Sequence, residues 1–132
     1  MTAPAPAIRP DLHLRALDVP AAITRGLTIG GGSRHALFTE AAIAASMQAA
    51  EFGIGQIPLA FLARYVRTAG VSAALDLPEP LAVPDQADLV RDWLTAALTA
   101  GSSVSHDLEF ASWLERVAIL IAMRRRDEQG RS

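Results

Sequence analysis

The sequence predicts an all-α protein: a compact bundle of about four principal helices behind an extended, proline-rich N-terminal arm. Three observations carry that expectation. From residue 39 onward, apolar residues recur at spacings of three and four, the period of a helix face. Glycine, proline and short polar residues stand where those stretches start and stop. Strand-like alternation is confined to brief segments before residue 30, and nothing downstream reads as a parallel strand. At 132 residues the chain has room for one domain, here placed at residues 21–132 behind an arm at 1–20.

The arm holds half of the chain's eight prolines and shows no helical period. Within it "LHLRAL" alternates and could add as an edge strand; "AAITRGLTI", Ala21 to Ile29, is β-branched in part and is interrupted by Gly26, so a short extended segment is expected there. Residues 8–30 are left open between a hairpin and a loose arm. The first helix is expected over Thr39–Phe52, with Thr39 as N-cap, Phe38 and Ile43 spaced as a hydrophobic staple, and Gly53 past the end. Its alanines allow close approach of neighbouring backbones.

The second helix is expected over Pro58–Ala69 and is stopped by Gly70. Leu59, Leu62, Ala63 and Val66 form its buried stripe. "VSAALDL" adds a turn or two before the proline-rich connector "PEPLAVP". The third is expected over Gln86–Ala100 with Asp85 as N-cap and Gly101 as its stop. The fourth is expected over His106–Arg126 with Ser105 as cap. In that fourth helix "VAILIAM" is apolar on every side, as befits a helix surrounded by its own domain or by a partner chain.

Composition narrows function more than it defines it. The hydrophobic fraction is 51%, aromatics are 5%, and the net charge is −2 with a pI near 5.9. There is no global electrostatic pull toward nucleic acid or an anionic membrane. Every basic residue except histidine is arginine, and asparagine is absent too, a pattern of GC-rich coding that points to a bacterial source. The absence of cysteine excludes disulfides, thiolate catalysis and cysteine-ligated metals. The N-terminus carries neither a basic n-region nor an apolar h-region, and no apolar run approaches the roughly 20 residues that span a bilayer. A cytoplasmic location without membrane contact is the expectation.

Motifs that would carry chemistry are missing. "IGGGSRH" before the first helix lacks both the dinucleotide fingerprint G-x-G-x-x-G and the Walker lysine, so it reads as a turn. His13, His35 and His106 fall in three separate segments and form no metal-ligand spacing. No serine stands in G-x-S-x-G. No catalytic residue, metal or cofactor is assigned. Arg124, Arg125 and Arg126 form the single basic run. They suit the negative end of a helix dipole, and "DEQGRS" offsets them at once.

Three functional readings follow from these residues. The first is a non-catalytic accessory, adaptor or assembly subunit, acting through a protein partner or self-association at Trp113, Val117, Leu120, Ile121 and Met123. The second is a small-molecule (anion)-binding protein or enzyme subunit with a pocket near Arg34, His35, Arg64 and Tyr65, where arginine forks would hold a carboxylate or phosphate. The third is a helical DNA-binding regulator using the arginine run, disfavoured by the chain's charge balance.

Overall fold

The computed structural model describes residues 16–29, 35–77, 81 and 83–130. Those residues form six helices and no strand: α1 Val19–Thr28, α2 Ala36–Glu51, α3 Gln56–Ala69, α4 Val71–Leu75, α5 Pro84–Ala100 and α6 Val104–Gly130. There are six helices among the described residues where about four are expected: the stretches expected to be helical correspond to α2, α3, α5 and α6, α4 is the extra turn offered by "VSAALDL", and α1 is additional.

The segment expected to be extended is instead helical. Asp18 caps α1 by accepting the Ala21 N–H at 3.1 Å, and Pro20 sits in the first turn, where its lack of an N–H is harmless. Val19, Ala22, Ile23, Gly26 and Leu27 are all buried at the spacing of one helical stripe. Burial of that stripe outweighs the modest strand preference of its β-branched residues. Gly26, which reads in sequence as an interruption, marks a helix crossing. A Cβ there would lie 2.8 Å from Phe38 Cβ on α2. The expected arm at 1–20 therefore ends too late, since Val19 and Pro20 belong to α1. Residues 1–15, with His13 and most of "LHLRAL", lie outside the described residues, as does the glycine loop from Gly30 to Arg34.

The helices pack in a closed circuit. α1 lies along α5 and α2; α2 packs on α6; α6 packs most extensively on α3; α3 meets α4, and α4 returns to α5. α2 is the enclosed member: Phe38, Ala41, Ala42, Ala44, Ala45, Ser46, Met47 and Ala49 are buried on several sides of it. Its small side chains let α1 and α6 approach from different directions, which a leucine-rich helix would prevent. Ser46, the one buried polar residue among them, donates to the Ile43 carbonyl at 2.6 Å, so no polar group is stranded there.

At the centre of the circuit four buried rings meet. Trp113 stacks on Phe110 at 5.4 Å and on Phe38 at 5.8 Å, and stands perpendicular to Trp93 at 5.5 Å. Its indole N–H donates to the Phe38 carbonyl at 3.0 Å, tying α6 to α2. The Trp93 indole N–H is buried with no hydrogen-bond partner. Polar ties hold the periphery. Thr24 Oγ1 donates to the Ala96 carbonyl at 2.9 Å, Gln86 Nε2 to the Phe52 carbonyl at 2.8 Å, and Arg67 pairs with Glu115 at 2.6 Å.

The helix starts differ from those expected because other groups cap them. α2 begins before Thr39, with His35 Nδ1 accepting the Leu37 N–H at 3.2 Å; Phe38 is thus an interior, buried residue and not the leading half of a staple. α3 begins two residues before Pro58, which still falls in the first turn. α5 begins at Pro84 with Val83 as its cap residue, so Asp85 lies inside the first turn, where its charge suits the dipole. α6 begins at Val104; Ser103 accepts the His106 N–H at 3.2 Å and does the work expected of Ser105. Gly70, at φ +99°, lets the chain turn sharply from α3 into α4.

Candidate functional site

α6 is amphipathic in position although its apolar segment reads as uniform. Phe110, Ala111, Trp113, Leu114, Val117, Ala118 and Ile121 are buried. On the opposite side Ile119 is 60% exposed and Met123 54%. α3 repeats the pattern. Leu59, Leu62, Ala63 and Val66 point inward, while Ile57 is 62% and Phe61 65% exposed.

The two helices run antiparallel, with Arg67 near Ser112 and Glu115 at one end and Ile57 near Met123 at the other. Between them lies an open groove of about 430 Å³, lined by Gln56, Ile57, Ala60, Ala118, Ile119, Ala122 and Met123 and bordered by Glu115 and Arg126. Its floor is alanine, so the helices approach closely there, and its walls are isoleucine and methionine. The acidic rim residue is held by Arg67; no ion pair engages Arg126 among the described residues. A surface of this kind, apolar in the middle and charged at the rim, is suited to a helix or to another folded face.

Of the five interface residues named from the sequence, the structure puts Trp113, Val117 and Ile121 in the core and Leu120 at its edge, packed against it. Met123 alone among them is exposed and lines the groove. Ile57, Phe61 and Ile119 stand on the surface as well, outside the set expected from the sequence. A signal for two of them is present in the sequence: Ile57, Phe61 and Tyr65 recur every four residues, on the face opposite the stripe of Leu59, Leu62 and Val66.

The anion grouping is not assembled. Arg34 lies outside the described residues. His35 caps α2, whereas Arg64 and Tyr65 stand on the outward face of α3, which packs chiefly on α6 and not on α2. The three arginines at 124–126 point in successive directions about 100° apart around α6, so they form no single phosphate-binding face; Arg126 is the one at the groove. Among the described residues no group of three histidine, aspartate or glutamate side chains could hold a metal ion. No described helix is long and apolar enough to cross a membrane.

Comparison of the chain with models of protein families, with curated proteins and with solved structures gives no match.

Proposed function

We propose that this chain is a non-catalytic accessory or assembly subunit that works by covering the α3–α6 groove with another protein surface. The observation that carries the reading is the concentration of exposed large apolar side chains, Ile57, Phe61, Ile119 and Met123, on two adjacent helices. Scattered single apolar residues are normal on a protein surface; a contiguous apolar face with a charged rim marks a place that another surface covers. The core does not require these four residues, because the same two helices already bury a complete inward stripe.

The test is capture by the tagged full-length chain, compared with an Ile119→Asp variant. Ile119 is exposed, so the variant keeps the fold, and an aspartate placed in the groove must be desolvated when a partner docks. A stoichiometric protein, or a second copy, retained by the native chain and lost by the variant is the expected outcome. Equal retention by both refutes the groove as the contact.

A further inference from the structure

We infer that the occupant of the α3–α6 groove is a second copy of this chain, docked about a two-fold axis that lays α6 antiparallel on α6 of its partner. The inference rests on the reading of the groove as a docking surface and names what docks. Its basis is the order of residues along the exposed stripe of α6. Glu115, Ile119, Ala122 and Arg126 follow at spacings of four, three and four, which keeps all four on one side of the helix. The spacing reads the same in both directions, and the charge at its two ends is opposite.

A two-fold interface requires that if residue i meets residue j, then j meets i. With the axis between Leu120 and Ile121, each Arg126 faces the other copy's Glu115 and each Ile119 faces the other copy's Ala122. The large side chain meets the small one twice, and the charge pair forms twice. Glu115 and Arg126 are about 16 Å apart along the helix, so the two ion pairs flank the apolar centre from either end.

Competing arrangements lack this match. A parallel two-fold packing would bring Arg126 onto Arg126 and Glu115 onto Glu115. Shifting the antiparallel axis to Glu115 would again oppose the two glutamates. Like charges brought together at an interface rim select against such registers. Arg67 already holds Glu115 at 2.6 Å with both side chains near half exposed; the incoming Arg126 would meet a carboxylate that is fixed in place and still has a free edge.

The extent is also adequate. Overlap of residues 112–129 on both helices gives a seam about 27 Å long, and α3 adds a second row through Ile57 and Phe61. At about 10 Å per helix the two rows cover roughly 540 Å² on each partner, the scale of a small, reversible interface.

The experiment is sedimentation velocity on the full chain across micromolar to submillimolar concentrations, with circular dichroism to confirm the fold of each variant. The native chain is expected to dimerise and Ile119→Asp to be a folded monomer. Arg126→Glu places glutamate against Glu115 at two symmetric positions and should raise the dimer dissociation constant about tenfold or more. Glu115→Arg with Arg126→Glu, made together with Arg67→Glu so that residue 115 keeps an oppositely charged neighbour, restores opposite charges and should return the constant most of the way.

A cross-link provides a second readout that does not depend on affinity. The chain has no cysteine, so a mixture of Glu115→Cys and Arg126→Cys chains should form a disulfide-linked pair on oxidation, whereas either chain alone should not, its thiols being about 16 Å apart in the dimer. A native chain that stays monomeric throughout overturns the second-copy inference. If Ile119-dependent capture of a different protein then survives, the docking reading stands without it. A dimer indifferent to Ile119→Asp likewise overturns the second-copy inference, and overturns the docking reading too if capture of other proteins is equally indifferent to it; a dimer in which the charge reversal rescues nothing overturns the antiparallel register.

Discussion

Trp93 and Trp113 form a natural matched pair, and replacing each by phenylalanine separates packing from hydrogen bonding. Both indoles are buried, and they are perpendicular neighbours in one cluster. Trp→Phe removes the same atoms at either site, so the loss of packing and the residual cavity should be of similar size, on the order of 1–3 kcal/mol. The polar consequences are opposite. Trp113→Phe deletes a hydrogen bond to the Phe38 carbonyl made at 3.0 Å, a further cost of about 1 kcal/mol.

Trp93→Phe deletes a buried N–H that has no partner, which relieves a desolvation penalty of roughly 1–3 kcal/mol. Trp113→Phe should therefore be the more destabilising by about 2–4 kcal/mol, with Trp93→Phe close to neutral. Urea unfolding followed by the fluorescence of the remaining tryptophan measures both, provided the slope with denaturant is unchanged. Equal losses, or a greater loss at Trp93, would refute the hydrogen-bond assignment in the core.

Three further outcomes follow from named contacts. Gly26→Ala sits in a helix interior, where alanine is ordinarily favoured by about 1 kcal/mol. Here the new Cβ would press on Phe38 Cβ at 2.8 Å, and separating α1 from α2 should make thermal unfolding occur earlier, with a net cost of about 1–2 kcal/mol. Asp107→Ala removes the carboxylate that accepts the Val71 N–H at 3.3 Å from across the helix pair; chemical denaturation should register about 1 kcal/mol, and a larger amide-exchange rate confined to α4. Arg67→Ala breaks an exposed pair with Glu115 and should change stability by less than about 1 kcal/mol, so a large loss would mean that the pair does more than bridge two surfaces.

The parts of the fold visible in the sequence are those where local and global preferences agree. The stripe of α3, Leu59, Leu62, Ala63 and Val66, recurs in the structure as the pattern has it, and the glycine stops at Gly70 and Gly101 fall where it puts them. The start of each helix was less visible, because the groups that cap it differ from the preferred ones: an imidazole at His35 and bare backbone at Val83. α1 was hidden because its evidence is tertiary. Gly26 and the β-branched residues argue for extended chain until Phe38 and Ala96 are known to lie against them. The groove was half visible. The apolar segment of α6 identified the right helix but could not say which side of it the domain covers, since Val117, Ile119 and Ile121 look alike until α2 and α3 are in place.

The central claim, that the α3–α6 groove is covered when the protein is assembled, is tested most directly by the reactivity of a single thiol placed in it. In this cysteine-free chain, Ile119→Cys and, as a reference, Thr99→Cys at an exposed position of α5 can each be labelled with a maleimide at rising protein concentration. Labelling at 119 should slow as the chain associates, while labelling at 99 should not change. Equal, concentration-independent labelling at both positions, in the purified protein and in extract of its host, would contradict it.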